Sequence, residues 1–140
     1  MRIVAIDFGL KRIGVAISNS LFMAMPLGKI ERQKDNKKTL LLLNKLLKDY
    51  KQIEKFVLGL PLHLSGHESD MSHEARKFAT FLESETKIPV VFVDERLTSK
   101  NAENILRECD MTRKNRKDHV DTLSATLILE TYLALISLSK

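Results

Sequence analysis

Residues 2–17 read Arg2-Ile3-Val4-Ala5-Ile6-Asp7-Phe8-Gly9-Leu10-Lys11-Arg12-Ile13-Gly14-Val15-Ala16-Ile17, two short apolar runs on either side of a Gly-containing turn. Runs of this length broken by Gly9-Leu10-Lys11-Arg12 predict two strands joined as a hairpin. Outward from there the periods change in order. After Pro26, Leu27 to Arg32 predicts a third strand, and Asp35 stands where a helix N-cap belongs, ahead of a Leu-rich helix from Lys38 to Lys51. Lys55 to Gly59 is strand-like, apolar on both faces, and stops at Gly59-Leu60-Pro61. Ala75, Phe78, Ala79 and Leu82 fall at helical spacing within 68–85, and Pro89 to Val93 predicts another buried strand. Thr98 caps a helix reaching about Arg107. A polar, basic loop over 110–117 then leads to a last helix that begins at Asp118 and carries Leu123, Leu127, Ile128 and Leu135.

That order describes an α/β layer in which an antiparallel meander continues into parallel strands through helical crossovers. The expected sheet is mixed and five-stranded, three antiparallel strands and then two parallel ones, with helices on both faces. It is the layout of ribonuclease H-like domains. A chain of 140 residues with 44% apolar content can bury one core, and no linker, repeat or low-complexity stretch divides it, so 1–140 is expected to form one domain. A net charge of +5 and a pI near 9.4 favour a polyanionic partner, with nucleic acid the first expectation. The lone Cys109 excludes an intramolecular disulfide and is expected to be inert packing. Met1 to Ile6 is too short for a signal peptide and no apolar run approaches a membrane span, so a cytoplasmic protein is expected.

Three carboxylates stand at element ends far apart in sequence: Asp7 closing the first strand, Glu95 just beyond a parallel strand, and Asp121 on the last helix. Open α/β sheets place ligands at the carboxyl ends of their strands. If the parallel strands add on the side of the first strand, Asp7 and Glu95 can meet there and Asp121 can complete an oxygen cluster for one or two divalent cations. Each acid also has an ordinary alternative. Asp7 could begin a turn, Glu95 between Asp94 and Arg96 could be a solvated strand end, and Asp118 and Asp121, one helical turn apart, could be a cap and a macrodipole partner. His63, His67 and His73 lack a fourth ligand at zinc spacing. Met23, Met25 and the Phe positions at helical spacing are expected in the core and not as cofactor contacts.

Asp7-Phe8-Gly9-Leu10-Lys11-Arg12-Ile13-Gly14-Val15-Ala16, Gly59-Leu60-Pro61-Leu62, Ala75-Arg76-Lys77-Phe78, Asp94-Glu95-Arg96-Leu97-Thr98-Ser99, and His119-Val120-Asp121 with Ile128-Leu129, taken in this order, resemble the YqgF family. Its members are described as Holliday-junction-resolvase-like proteins and as nucleases for the precursor of 16S ribosomal RNA. The resemblance implies a ribonuclease H-like fold, with Asp7, Glu95 and Asp121 as metal-binding acids for Mg²⁺ or Mn²⁺. Asp118 would be a fourth ligand or, as the reading preferred here, a helix cap. The resemblance also implies metal-dependent hydrolysis of structured nucleic acid, with precursor rRNA favoured over branched DNA.

Nucleic-acid contacts are expected from Lys11 and Arg12 in the hairpin turn, from Arg96 beside Glu95 unless it simply pairs with Asp94, and from Arg113, Lys114, Arg116 and Lys117 in the basic loop, which could equally be an ordinary solvated loop. Gly59 to Gly66 resembles a family loop close to the active edge, where a mobile segment could clamp substrate, or it is an ordinary connection after a buried strand. The chain is expected as a monomer or homodimer, junction cleavage requiring a twofold dimer. Two rivals belong to other classes. The Asp-x-Gly hairpin also opens the actin and sugar-kinase fold, which needs a second comparable domain, and a nuclease-like scaffold could bind RNA or protein without cutting.

Overall fold

A computed structural model of the chain describes residues 2–19, 23–62, 65–95 and 113–138, over 113–121 for the backbone alone. Its elements are β1 (Arg2–Phe8), β2 (Arg12–Ser18), β3 (Ala24–Glu31), α1 (Asn36–Leu47), β4 (Ile53–Leu60), α2 (Asp70–Thr86), β5 (Val90–Asp94) and α3 (Arg113–Leu138). One five-stranded sheet runs β3-β2-β1-β4-β5. β1 pairs antiparallel with β2, and β2 with β3, whereas β4 joins β1 in parallel and β5 joins β4 in parallel. The meander followed by parallel strands is the expected arrangement, and β1 is central to it.

Strand alternation sorts the side chains onto two faces. Val4, Ile6 and Phe8 of β1, Ile13, Val15 and Ile17 of β2, and Phe56, Leu58 and Leu60 of β4 bury against Leu40, Leu43 and Leu47 of α1 and Ala75, Phe78, Ala79 and Leu82 of α2. The other face presents Ile3, Ala5, Ala16, Val57 and Val93 to Ala125, Ile128 and Leu129 of α3. Helices therefore cover both faces, with α3 on the second.

The helix starts follow local chemistry. Asp35 caps α1, its carboxylate accepting from the Lys37 N–H at 2.9 Å. Ser69 caps α2 in a capping box, its Oγ accepting from the Ser72 N–H at 3.0 Å while Ser72 Oγ accepts from the Ser69 N–H at 2.7 Å.

Three expectations need correction. α3 begins at Arg113, so Arg113, Lys114, Arg116 and Lys117 belong to its first turns and not to a loop. Asp118 consequently lies inside the helix and is not its N-cap. Met23 and Met25 are 60% and 47% exposed, because they sit at the start of the edge strand β3 and not in the core. The helix expected over 98–107 lies outside the described residues, as do Arg96, Cys109 and His63. Among the described residues no helix is long and apolar enough to cross a membrane.

Candidate active site at the carboxyl edge of the sheet

Asp7 is the last but one residue of β1, opposite Gly14 of β2 and one place beyond the Ile6–Leu58 pairing with β4. On β5, Val93 pairs with Gly59 of β4, and Asp94 pairs with Leu60. Glu95 is the next residue, just past the strand end. With a period of two, Asp7, Gly59, Val93 and Glu95 all lie on the face covered by α3.

The two carboxyl groups meet: Glu95 shares a side-chain hydrogen bond with Asp7. Burial above all, then that hydrogen bond, the Asp7 charge and the Asp94 charge push the Glu95 carboxyl up from its ordinary 4.5 to about 10. Two acids in such contact hold a proton between them, and a dication can take that proton's place.

Gly59 makes room for the contact. A Cβ at Gly59 would stand 2.7 Å from Glu95 Cγ, 2.8 Å from Glu95 Oε1 and 2.5 Å from Ile128 Cδ1. The Glu95 side chain and α3 thus both lie against the bare backbone of β4. β4 ends at Leu60, within the expected Gly59-Leu60-Pro61 stop, and Gly59 is its last but one residue. The signal that identifies it is a lone Gly inside a strand pattern, a mark of close approach.

α3 brings position 121 to the same end of the sheet. Lys55, near the start of β4, donates to Tyr132 Oη at 2.9 Å, and Ile128 lies over Gly59, so the helix climbs toward the carboxyl edge as its numbering falls. Position 121 is two turns, about 10 Å along the axis, beyond Ile128 and in helical register with the buried Ser124, Ala125 and Ile128. The side chains of Asp118, Asp121, Arg113, Lys114, Arg116 and Lys117 lie outside the described residues. Among the described residues no group of three His, Cys, Asp or Glu side chains forms a metal site, and His67 and His73 are exposed.

The hairpin turn stands at the same edge. Gly9 donates its N–H to the Arg12 carbonyl at 3.0 Å, and a Cβ there would meet that oxygen at 2.5 Å, which requires glycine. Lys11 is exposed and Arg12 half-buried. Arg32, which the sequence did not single out, fixes this turn. Its N–H donates to the Lys11 carbonyl at 2.8 Å, and its guanidinium donates to the Gly9 carbonyl at 3.5 Å, stacks on the Phe8 ring at 4.4 Å and pairs with Glu74 of α2. Pro61, just past β4, is tied to the cap of α2, where Ser69 Oγ donates to the Pro61 carbonyl at 2.6 Å.

A mixed five-stranded sheet of this order, with the α3 helix laid over its carboxyl edge, is a RuvC-like, ribonuclease H-like fold. Thermus thermophilus RuvC, solved in complex with a Holliday junction substrate, matches with a TM-score of 0.59 over 96% of each chain at 12% identity. A second T. thermophilus RuvC structure matches at 0.53.

Sequence narrows the class further. The family described as "RuvX: Holliday junction resolvase" matches residues 1–135. A protein of Syntrophomonas wolfei named "Putative pre-16S rRNA nuclease" is 44% identical over 140 residues, covering 100% of this chain and 99% of its own. A protein of Koribacter versatilis with the same name is 44% identical over 133 residues, covering 94% of this chain and 86% of its own. The chain belongs to the RuvX/YqgF family.

Proposed function

We propose that the chain is a divalent-metal-dependent endonuclease that hydrolyses phosphodiester bonds in structured nucleic acid, its substrate the precursor of 16S rRNA. The observation that carries this reading is the half-buried Asp7–Glu95 carboxyl pair at the carboxyl edge of the sheet. An all-oxygen donor set in which two acids already compete for one positive charge fits Mg²⁺ or Mn²⁺, hard cations that prefer carboxylates. When bound, the metal supplies Lewis acidity at the phosphoryl group and an activated water.

The protein's own groups then have separable tasks. Asp7 anchors the cation from the rigid centre of the sheet, and Glu95 completes the anchor by folding over Gly59. Asp121 joins them from α3 as ligand or as the group that orients the attacking water, with Asp118 a further candidate ligand one turn earlier. Lys11 and Arg12, on the turn that Arg32 holds, face the phosphate beside the cleaved bond and offset its charge. Arg96, Arg113, Lys114, Arg116 and Lys117 contact the backbone of the substrate further out.

Junction cleavage is the second reading, favoured by the family description and by the RuvC-like fold. The relatives' names favour RNA. Purified protein incubated with precursor 16S rRNA and with a four-way DNA junction, each with and without Mn²⁺, separates the two. Metal-dependent cutting of the RNA is expected, and cutting of the junction alone transfers the assignment to DNA. Cutting of neither, at any metal concentration, leaves a non-cleaving scaffold.

A further inference from the structure

The positive excess of the chain is unevenly shared between the two helices that cover the same face of the sheet. α1 and its C-cap carry Lys37, Lys38, Lys45 and Lys48 and no acid. α2 carries Asp70, Glu74, Glu83 and Glu85 against Arg76 and Lys77. At 100° per residue, positions 37, 38, 41, 45 and 48 fall within an arc of about 100°, turned away from the buried Leu40, Leu43 and Leu47. All four lysines are exposed, and so is Leu41 at 67% between them. Among the described residues none of the four is ion-paired. The stripe is about 16 Å long, enough for several successive phosphates of one strand.

Its position matters as much as its charge. β3 runs toward the edge that carries Asp7 and Glu95, and its last residue, Glu31, pairs with Arg12 of β2. α1 starts five residues later, after the exposed Lys34 and the cap Asp35. The basic track therefore begins beside Lys11 and Arg12 at the candidate active edge and descends the outside of α1. The acids nearby are Asp35, whose carboxylate is engaged by the helix N-terminus, Glu31, which lines the same groove as Lys45, and Asp49 past the C-cap.

We propose that the lysine stripe of α1 is a second nucleic-acid contact surface, which holds the phosphate backbone of the strand running away from the metal edge. The proposal rests on the nuclease reading and adds where the uncut flank lies. Lysine ammoniums on flexible stems suit this task, because they follow a backbone without reading its sequence.

The test is a titration of a labelled RNA stem-loop with a single-stranded extension, in an Asp7→Asn background that suppresses cutting, over a range of salt. Replacing Lys45→Gln and Lys48→Gln together should lower the slope of log affinity against log salt by about 1.5, two phosphates at roughly 0.7–0.9 each. The same charge change made elsewhere, Lys77→Gln with Lys87→Gln, should leave the slope as it was. Melting temperatures of both pairs control for folding. Equal losses in the two pairs would mean that net charge alone matters, and the stripe would have no assigned role. An unchanged slope in the Lys45/Lys48 pair, with normal RNA binding by the parent, removes this surface and leaves the nuclease reading standing. A parent that binds no RNA removes both.

Discussion

The two faces of the sheet are built on opposite principles. Toward α1 and α2 the strands present large side chains, Ile6, Phe8, Ile13, Phe56 and Leu58 among them, and Phe78 of α2 stacks on Phe8 with ring centroids 5.0 Å apart. Toward α3 the same strands present Ile3 and Val57, with Val93 of β5, together with the small Ala5, Ala16, Gly14 and Gly59. Small residues let a helix and a glutamate approach the backbone closely, and the acids stand on that face. One face is specialised for burial of apolar area and the other for bringing charge together at low clearance. The same strands serve both, because alternation isolates their two sets of side chains.

If the division holds, substitutions on the two faces should fail in different ways. Asp7→Asn should lower metal-dependent cleavage by about three orders of magnitude, roughly 4 kcal/mol of transition-state stabilisation. It should leave the melting temperature equal or higher, since it removes a charge that opposes Glu95. Phe78→Ala, fully buried on the other face, should cost about 3–5 kcal/mol of stability through the cavity it leaves. Below its lowered melting temperature it should cut at the rate of the parent. Thermal unfolding and single-turnover rates on both variants decide this, and a Phe78→Ala protein that is folded but inactive would erase the distinction.

Gly59→Ala probes the seam between the two principles. The added methyl meets Glu95 and Ile128 at once, so overpacking of about 1–3 kcal/mol is expected together with about a hundredfold loss of rate. Adding Ile128→Val relieves the helix contact but not the carboxylate contact. The double variant should recover melting temperature without recovering Mn²⁺ affinity measured by calorimetry. Recovery of both would show that Gly59 serves helix packing alone.

Much of this was legible in the chain because it depends on alternation and on element ends. The hairpin, the strand order and the placement of Asp7 and Glu95 follow from where apolar runs stop. What alternation cannot encode is clearance. Gly59 reads only as part of a strand stop although Glu95 lies on it, and Arg32 reads only as the end of the third strand although it bonds to the Lys11 and Gly9 carbonyls. The 113–117 segment reads as a loop because it has no apolar stripe. Lys and Arg are nevertheless good helix formers, and the helix is anchored further along by Ala125, Ile128 and Leu129. Met23 and Met25 misled in the converse sense, being apolar but at the exposed start of an edge strand.

The acid pair also makes stability depend on pH in an unusual direction. Unfolded, Glu95 titrates near 4.5, and folded it holds its proton to about 10. Below 4.5 both states are protonated and the full stability is present. Between 4.5 and 10 the folded state binds a proton that the unfolded state has released, so metal-free stability falls as pH rises. Glu95→Gln, which keeps the neutral shape, should flatten that decline. Mn²⁺ should raise the melting temperature of the parent more at pH 9 than at pH 6, since it competes with the proton. Parallel pH curves for parent and Glu95→Gln would mean that the pair is not strained on this face.

The smallest expected effect lies where the packing face approaches the functional edge, at the cap of α1. Asp35 accepts from the Lys37 N–H with its carboxylate, and its carbonyl accepts from the Lys38 and Thr39 N–H groups at 3.1 Å. Thr39 is fully buried and its Oγ1 accepts from the Gln33 N–H at 3.0 Å, so the cap also fixes the 32–35 connection that follows β3. Asp35→Ala should cost about 1 kcal/mol, a shift of a few degrees in melting temperature, and Asp35→Asn should cost little because Asn caps comparably. Cleavage well below the melting temperature should not change in either variant, because the bonds that hold the hairpin turn, from Arg32 to Lys11, Gly9 and Glu74, do not involve the cap. A loss of rate in Asp35→Ala that Asp35→Asn restores would mean that cap geometry is transmitted through Arg32 to the turn bearing Lys11 and Arg12, and the two faces would then be coupled at that corner of the sheet.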